Sequence, residues 1–133
     1  MSTFHLKIST PDGLAFDGEV ERLRVRMIDG DVSLLAHHMD YVSAVGAGEA
    51  AIVTADGQKR NAACIGGMLA MINNEANLIA TTFEWADDID LERARHAREE
   101  AQRKLESLAH QDKDFAVMEA KLKRAIARIN VKG

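Results

Sequence analysis

Two runs in the last third of the chain decide the fold: IDLERARHAREEAQRKLESL (89–108) and KDFAVMEAKLKRAIARIN (113–130). Apolar residues recur every three or four positions in both runs, and Arg98 interrupts the first series once. The apolar positions are Leu91, Ala94, Ala101, Leu105 and Leu108, then Phe115, Met118, Leu122, Ala125 and Ile129. A seam this narrow suits one partner helix. Because few residues separate the runs, the sequence predicts an antiparallel helical hairpin.

Residues 1–84 differ in composition from this last third, since they contain eight of the nine glycines and the only proline. Apolar and polar residues alternate with period two in short runs such as 4–9 and 20–27, separated by turn sequences such as 10–13. This pattern predicts an antiparallel β-sandwich of about eight to ten short strands. The expected organisation is therefore β plus α, with a sandwich over 1–84 and a helical hairpin over 85–133.

Charge and composition exclude several classes of protein. The formal net charge is −4 and lies in residues 1–83, so nothing in the charge balance favours nucleic-acid binding. Cys64 is the only cysteine, which excludes an internal disulfide. No apolar run approaches the ~20 residues that span a bilayer, and the first residues lack the pattern of a signal peptide. We expect contact with a membrane only through a partner.

Five short motifs carry a resemblance to a known family. They are TPDG (10–13), GD (30–31) leading into LL (34–35), GGML (66–69), IDLERA (89–94) and RAIARI (124–129). In this order, and over the whole chain, they resemble the epsilon subunit of bacterial F-type ATP synthase. One loop departs from the family pattern. His38 stands at the histidine position of a Pro-Gly-His-x-Pro-type loop, but residues 36–40 read AHHMD and lack its glycine and prolines.

The resemblance implies a non-catalytic subunit of the central stalk. In the family, the sandwich binds the gamma subunit and the membrane c-ring and helps to couple ion flow to rotation. The helical hairpin is regulatory: it is permissive when folded against the sandwich, and it inhibits ATP hydrolysis when extended into the alpha/beta catalytic hexamer. The implied location is the cytoplasmic face of the bacterial cell membrane, as a peripheral component. His38, Met39 and Tyr41 are the candidate rotor-interface residues.

Residues at the two ends of the hairpin suggest a regulatory ATP site. In an antiparallel pair the start of the first helix lies beside the end of the second, so Asp90 and Arg93 are expected to converge with Arg124 and Arg128. Two guanidiniums at i and i+4 can hold a polyphosphate. The alternative is a ligand-free interhelical salt bridge between Asp90 and Arg128.

The resemblance implies one further residue of this site, and it also shows that one arginine typical of the family is replaced in this chain. ATP-binding members of the family carry a glutamate six residues before the aspartate, which corresponds to Glu84. They also carry an arginine seven residues after Arg93, and this chain has Glu100 there. A carboxylate beside a phosphate weakens its binding.

A basic set on the second helix comprises Lys121, Lys123, Arg124 and Arg128. The resemblance implies contact with an acidic segment of the catalytic subunits in the inhibited state. The alternative is an ordinary solvated helix face.

Other chemistry finds no support in the sequence. The five histidines show no metal-ligand spacing, and no serine or cysteine stands in a nucleophile motif. We therefore predict no catalytic residues, no metal and no cofactor other than regulatory ATP. Two alternatives are a stand-alone nucleotide-sensing module that works without a rotor and a small enzyme built on the sandwich. The latter needs paired acid and base groups that the sequence lacks.

Overall fold

The structure is a computed structural model that describes residues 2–110 and 112–132. The described residues form six strands, one turn of 3-10 helix and two α-helices. The strands are β1 (Phe4–Thr10), β2 (Gly13–Met27), β3 (Gly30–Leu35), β4 (Tyr41–Thr54), β5 (Lys59–Ile72) and β6 (Glu75–Trp85). The 3-10 turn covers Ala86–Asp88, and the helices are α1 (Leu91–Ser107) and α2 (Lys113–Lys132).

The strands form a sheet that closes on itself. Their order is β1-β6-β5-β4-β2-β3, and β1 also pairs with β2. β2 makes this closure possible because its first half pairs with β1, while its second half pairs with β3 and β4. All pairs are antiparallel except β1 with β6. The predicted fold class, a β-sandwich followed by a two-helix hairpin, is confirmed.

The strands are fewer and longer than the eight to ten that the sequence suggested, because β4 and β5 continue through glycines that resemble turns. The β4–β5 pairing breaks between the pairs Ala44–Met68 and Ala47–Ile65 and then resumes. Gly67 has φ +109°, and a side chain there would overlap the main-chain oxygen of Ile79. Glycine therefore permits a bend inside a continuous strand at this position, rather than a reversal.

The sandwich encloses one core of large apolar side chains that are fully buried, among them Phe4, Leu23, Leu69 and Met71. Cys64 belongs to this core, and burial raises the pKa of its thiol from 9.0 to about 12. The alternation of β1, β2, β5 and β6 places these residues inside, as period-two patterning requires. The buried residues of this core thus lie between Phe4 and Ala80, and Trp85 packs against them.

The hairpin lies against one end of the sandwich through α2. The seam between the two helices contains Ala94, Ala101 and Ala125, which are 4%, 3% and 1% exposed. α2 also packs against β4 and β5, and its Val131 forms a small buried cluster with Ala63 and Ile89. The hairpin is therefore folded down on the sandwich.

The helices were expected at about 89–108 and 113–130, and each observed boundary lies within two residues of those positions. α1 begins two residues later because Ile89 is extended and buried, while the carboxylate of Asp90 caps the helix by accepting from the main-chain N–H of Arg93 at 3.1 Å. Within the described residues, neither helix has the length and apolar character needed to cross a membrane.

Candidate functional site

A cavity of about 420 Å³ runs along the hairpin on the side where it meets the sandwich. All five residues of the predicted ATP site line it: Glu84, Asp90, Arg93, Arg124 and Arg128. They come from three different elements, since Glu84 belongs to β6, Asp90 and Arg93 to the start of α1, and the two arginines to α2. The cavity lies within the size range of small-molecule sites. Its complete lining depends on the docked position of the hairpin, because Glu84 belongs to the sandwich while most of the other lining residues belong to the two helices.

Local structure explains why these side chains converge. Asp90 caps α1, which fixes Arg93 in the first turn. Arg124 and Arg128 are one turn apart on α2 and half-buried. The floor between the helices consists of small residues, including Ala94, Ala101 and Ala125. Alanines at seam positions bring the helices together while leaving open space above the seam.

An ion pair links the hairpin to the sandwich at one end of the cavity. The Nε–H of Arg128 donates to Oε1 of Glu84 at 2.7 Å, and the two side chains are 31% and 33% exposed. The ion pairs among the described residues do not include the Asp90–Arg128 bridge that was considered from the sequence. The alternative of an Asp90–Arg128 bridge is wrong, because the Asp90 carboxylate caps α1 and the Arg128 guanidinium contacts Glu84 instead.

Glu100 also lines the cavity, as the sequence comparison suggested. Its carboxylate lies 3.6 Å from Nε2 of His96 and 3.6 Å from Nζ of Lys104, each one helical turn away. Lys104 and Lys121 line the cavity as well, although the sequence analysis assigned neither of them to the ATP site. Positions 93, 97, 100 and 104 share one helix face, and this spacing is the signal that predicts Lys104.

The structure divides the basic set of α2 between two surfaces. Lys121, Arg124 and Arg128 line the cavity described above. Lys123 lines a more open cleft of about 740 Å³ between α2 and the rim formed by β2, β3 and β4. In the docked hairpin these four cations therefore do not form a single solvent-facing stripe.

The three candidate rotor residues have different surroundings. Met39 is 81% exposed. Tyr41 is half-buried and packs against the sandwich core. The His38 ring lies edge-on to the Tyr41 ring, with centroids 6.4 Å apart, and its Nδ1 is 2.7 Å from the main-chain oxygen of Met39. Met39 is thus the most exposed of the three candidates.

An exposed apolar face lies on the outer side of β4, β5 and β6, beyond the glycine bend. It comprises Val42, Met68, Ile72 and Ile79, which are 46–60% exposed. Met68 pairs directly with Ile79, and Ala70 between Met68 and Ile72 pairs with Val42. Val42, Ile72 and Ile79 were not predicted as contact residues from the sequence. The alternation of Met68 and Ile72 with buried Leu69 and Met71 predicts them.

The described residues offer no candidate metal site. Within residues 2–110 and 112–132, histidine, cysteine, aspartate and glutamate side chains form no group of three or more that could hold a metal ion.

The fold and the cavity define a small two-part protein in which a helical hairpin is docked on a closed β-sandwich. Family models agree with both parts. The model described as "ATP synthase, Delta/Epsilon chain, beta-sandwich domain" matches residues 3–86, and "ATP synthase, Delta/Epsilon chain, long alpha-helix domain" matches residues 87–133.

Curated relatives named ATP synthase epsilon chain match most of this chain and most of their own length. The ATP synthase epsilon chain of Caldicellulosiruptor bescii is 34% identical over 98% of this chain and 94% of its own. That of Halalkalibacterium halodurans is 31% identical over 100% and 99%. The sodium-ion-specific epsilon chain of Acetobacterium woodii is 39% identical over 84% and 80%. The chain therefore belongs to the ATP synthase epsilon-chain family, whose members are structural and regulatory subunits rather than enzymes.

Solved structures share the fold. A cryo-EM structure of the Euglena gracilis mitochondrial ATP synthase that includes the c-ring contains a chain with TM-score 0.83 and 19% identity, covering 96% of this chain and 79% of that one. The central stalk and c-ring of Tetrahymena thermophila mitochondrial ATP synthase contain another, with TM-score 0.55 and 14% identity, covering 96% and 92%. At these identities the likeness concerns the fold.

Proposed function

We propose that this chain is a central-stalk rotor subunit whose hairpin is an ATP-responsive regulator of hydrolysis. The sandwich binds the gamma subunit and the c-ring and helps to couple ion flow to rotation. The docked hairpin is permissive, and the extended hairpin inhibits by contacting the alpha/beta hexamer. The chain then works at the cytoplasmic face of the bacterial cell membrane and reaches the membrane only through the complex.

The cavity built from three elements carries the regulatory part of this proposal. A ligand that contacts Glu84 of the sandwich, Arg93 of α1 and Arg124 of α2 together binds only the docked state. Such a ligand shifts the equilibrium toward docking in proportion to its differential affinity for the two states. ATP fits the charges, because the arginines can bind its phosphates and the carboxylates can accept hydrogen bonds from its base and ribose.

Inhibition and ATP binding draw on the same side chains. Lys121, Arg124 and Arg128 are the proposed contacts to the catalytic hexamer, and in the docked hairpin all three line the ATP cavity. A cation that binds a phosphate is not available to an acidic segment of another subunit. ATP therefore opposes inhibition both by holding the hairpin down and by occupying these cations.

The exposed apolar face supports the rotor part of the proposal. Large apolar side chains grouped on one face of a small protein are typical of an interaction surface. Val42, Met68 and Ile79 lie beyond the glycine bend, whereas α2 packs at the other end of β4 and β5. We assign this face to the gamma subunit, with Met39 and His38 at its edge and Tyr41 as a support beneath them.

Calorimetric titration of the purified chain with Mg-ATP tests the regulatory part. We expect saturable binding that Arg124→Ala and Arg128→Ala each weaken at least tenfold, while Lys113→Ala, outside the cavity on the same helix, leaves it unchanged. Calorimetry is preferable to tryptophan fluorescence because the Trp85 ring packs with Phe83 and under Arg60, on the opposite face of β6 from Glu84. Absence of heat up to millimolar ATP would remove the ligand from the proposal.

A substitution of Lys123 tests the inhibitory contact separately from ATP binding, because Lys123 lies outside the ATP cavity. In a reconstituted complex with the gamma subunit and the catalytic hexamer, we expect Lys123→Gln to raise the ATP hydrolysis rate without changing the affinity of the isolated chain for ATP. An unchanged hydrolysis rate would exclude Lys123 from the inhibitory contact.

Binding to the gamma subunit separates the rotor function from a stand-alone nucleotide-sensing module. We expect a one-to-one complex with the gamma subunit of the same organism on size-exclusion chromatography. Ile79→Asp on the apolar face should abolish it. Val117→Asp, a comparably exposed apolar residue on α2, should retain it. ATP binding without any gamma complex would favour the stand-alone module.

A further inference from the structure

The cavity is a long trough whose two ends differ in charge. Its α1 wall extends from Arg93 to Lys104, which is about 16 Å at the rise of an α-helix. The carboxylates of Glu84, Asp88 and Asp90 gather where the hairpin joins the sandwich. Lys104 of α1 lies toward the opposite end, near the turn of the hairpin, and Lys121 of α2 lies between it and Arg124 along the trough.

This distribution of charge predicts the orientation in which a nucleotide lies in the trough. At the sandwich end three carboxylates outnumber two arginines, Arg93 and Arg128, so this end favours phosphate groups less than the far end. The carboxylates also offer acceptors to the amino and hydroxyl groups of a base and ribose. Arg128 at that end is already bonded to Glu84. The ion pairs among the described residues involve neither Arg124 nor Lys121, so these cations are available to an anion farther along the trough.

Lys104 makes an ion pair with Glu100 that a phosphate group can displace. Its Nζ lies 3.6 Å from Oε1 of Glu100, and the two side chains are 54% and 50% exposed. An exposed i,i+4 pair of this kind is weak. A phosphate carries more charge than a carboxylate and competes for the same ammonium group.

We propose that Lys104 and Lys121 bind the terminal phosphate of a nucleoside triphosphate and make this chain discriminate triphosphates from diphosphates. Glu100 opposes them, because it lines the same trough and pairs with Lys104. The two lysines thus supply at the far end the positive charge that Glu100 removes. This inference rests on the proposed ATP site and specifies which of its residues recognise the length of the phosphate chain.

Calorimetric titrations of the full chain with Mg-ATP and with ADP test the inference. We expect Lys104→Gln and Lys121→Gln each to weaken ATP binding about 5- to 20-fold and ADP binding less than about threefold, so that the ratio of the two dissociation constants contracts. Arg103→Gln and Lys113→Gln are the controls, because they remove a cation from each helix outside the trough. Neither control should change the ratio.

Glu100→Gln provides a test by gain of affinity, which loss of folding cannot imitate. It should tighten ATP binding about 3- to 10-fold and tighten ADP binding less. If ATP binds but the lysine variants weaken both nucleotides equally or not at all, or if Glu100→Gln leaves ATP binding unchanged, the inference is wrong while the ATP site stands. If neither the natural chain nor Glu100→Gln binds any nucleotide, the proposed ATP site itself is wrong.

Discussion

The core of the sandwich and the surface on which the hairpin docks are built from different side chains. The core contains Phe4, Leu23 and Leu69, all with zero exposure. On the docking surface, Val131 of α2 packs with Ala63 of β5 and with Ile89 of the segment before α1, and Ala127 of α2 is also buried. A buried alanine contributes little more than one methyl group, about 0.8 kcal/mol, whereas a buried leucine or phenylalanine contributes about 1.5–3 kcal/mol.

This contrast indicates that the two regions have different roles. The sandwich holds its shape through its own core and can act as a fixed platform. Among the described residues, the hairpin is held down by small apolar contacts and one partly exposed ion pair. A nucleotide or a partner subunit then needs only a modest difference in binding free energy to change its position. Four predictions test this contrast, from the largest expected effect to the smallest.

Truncating one leucine in each region should produce very different losses of stability. Leu69→Ala leaves a cavity in the fully buried core and should lower the free energy of unfolding by about 2–5 kcal/mol. Leu122→Ala, at a half-buried seam position of α2, should cost about 1 kcal/mol. Urea unfolding followed by circular dichroism measures both. Equal losses would mean that the hairpin is as well packed as the core.

A side chain at the bend of β5 should damage the platform. Gly67→Ala meets the main-chain oxygen of Ile79 and requires φ +109°, so we expect a loss of about 1–3 kcal/mol. Gly57→Ala is the matched control, because φ there is +87° but nothing lies within 4 Å of the added methyl group. Thermal melts compare the two. If the control loses as much stability as Gly67→Ala, backbone conformation rather than steric overlap is responsible.

The buried thiol should make the sandwich sensitive to alkaline pH. Burial raises the pKa of Cys64 from 9.0 to about 12, so the folded state keeps its proton while the unfolded state loses it. This contribution to stability is fully present below pH 9.0. It falls by about 1.4 kcal/mol per pH unit as the pH rises toward about 12.

Cys64→Ala removes this dependence, and the comparison isolates it from other groups that titrate in the same range. We expect the difference in unfolding free energy between Cys64→Ala and the natural chain to shift in favour of the variant between pH 9 and pH 10.5. Urea unfolding at a series of pH values measures it. A difference that stays constant across this range contradicts the assigned burial.

Breaking the ion pair between hairpin and sandwich should have the smallest effect. Glu84→Gln removes the charge that Arg128 contacts, and the partial exposure of both side chains limits the cost to about 0.5–1 kcal/mol. Hydrogen exchange should show faster exchange in the last turns of α2 and unchanged rates in β5. Glu99→Gln, exposed on α1, is the control. Faster exchange throughout the sandwich would contradict the idea of an independent platform.

Much of the fold could be predicted because periodicity is local. The 3-4 spacing of residues 91–129 predicts the hairpin, and alternation predicts the strands. The number of strands was overestimated because Gly46, Gly66 and Gly67 look like turns in the sequence. Whether a glycine reverses a strand or only bends it depends on what the next strand places against it. In β5 that neighbour is the main chain of Ile79.

By itself, the sequence determined the two-part fold, the family and the residues that converge at the ends of the hairpin, since helix periodicity and antiparallel pairing place them there. Only the tertiary structure decided the partner of Arg128 and the separation of Lys123 from Lys121. Each of these depends on which side of α2 faces the sandwich, a choice between surfaces far apart in sequence that no local pattern specifies.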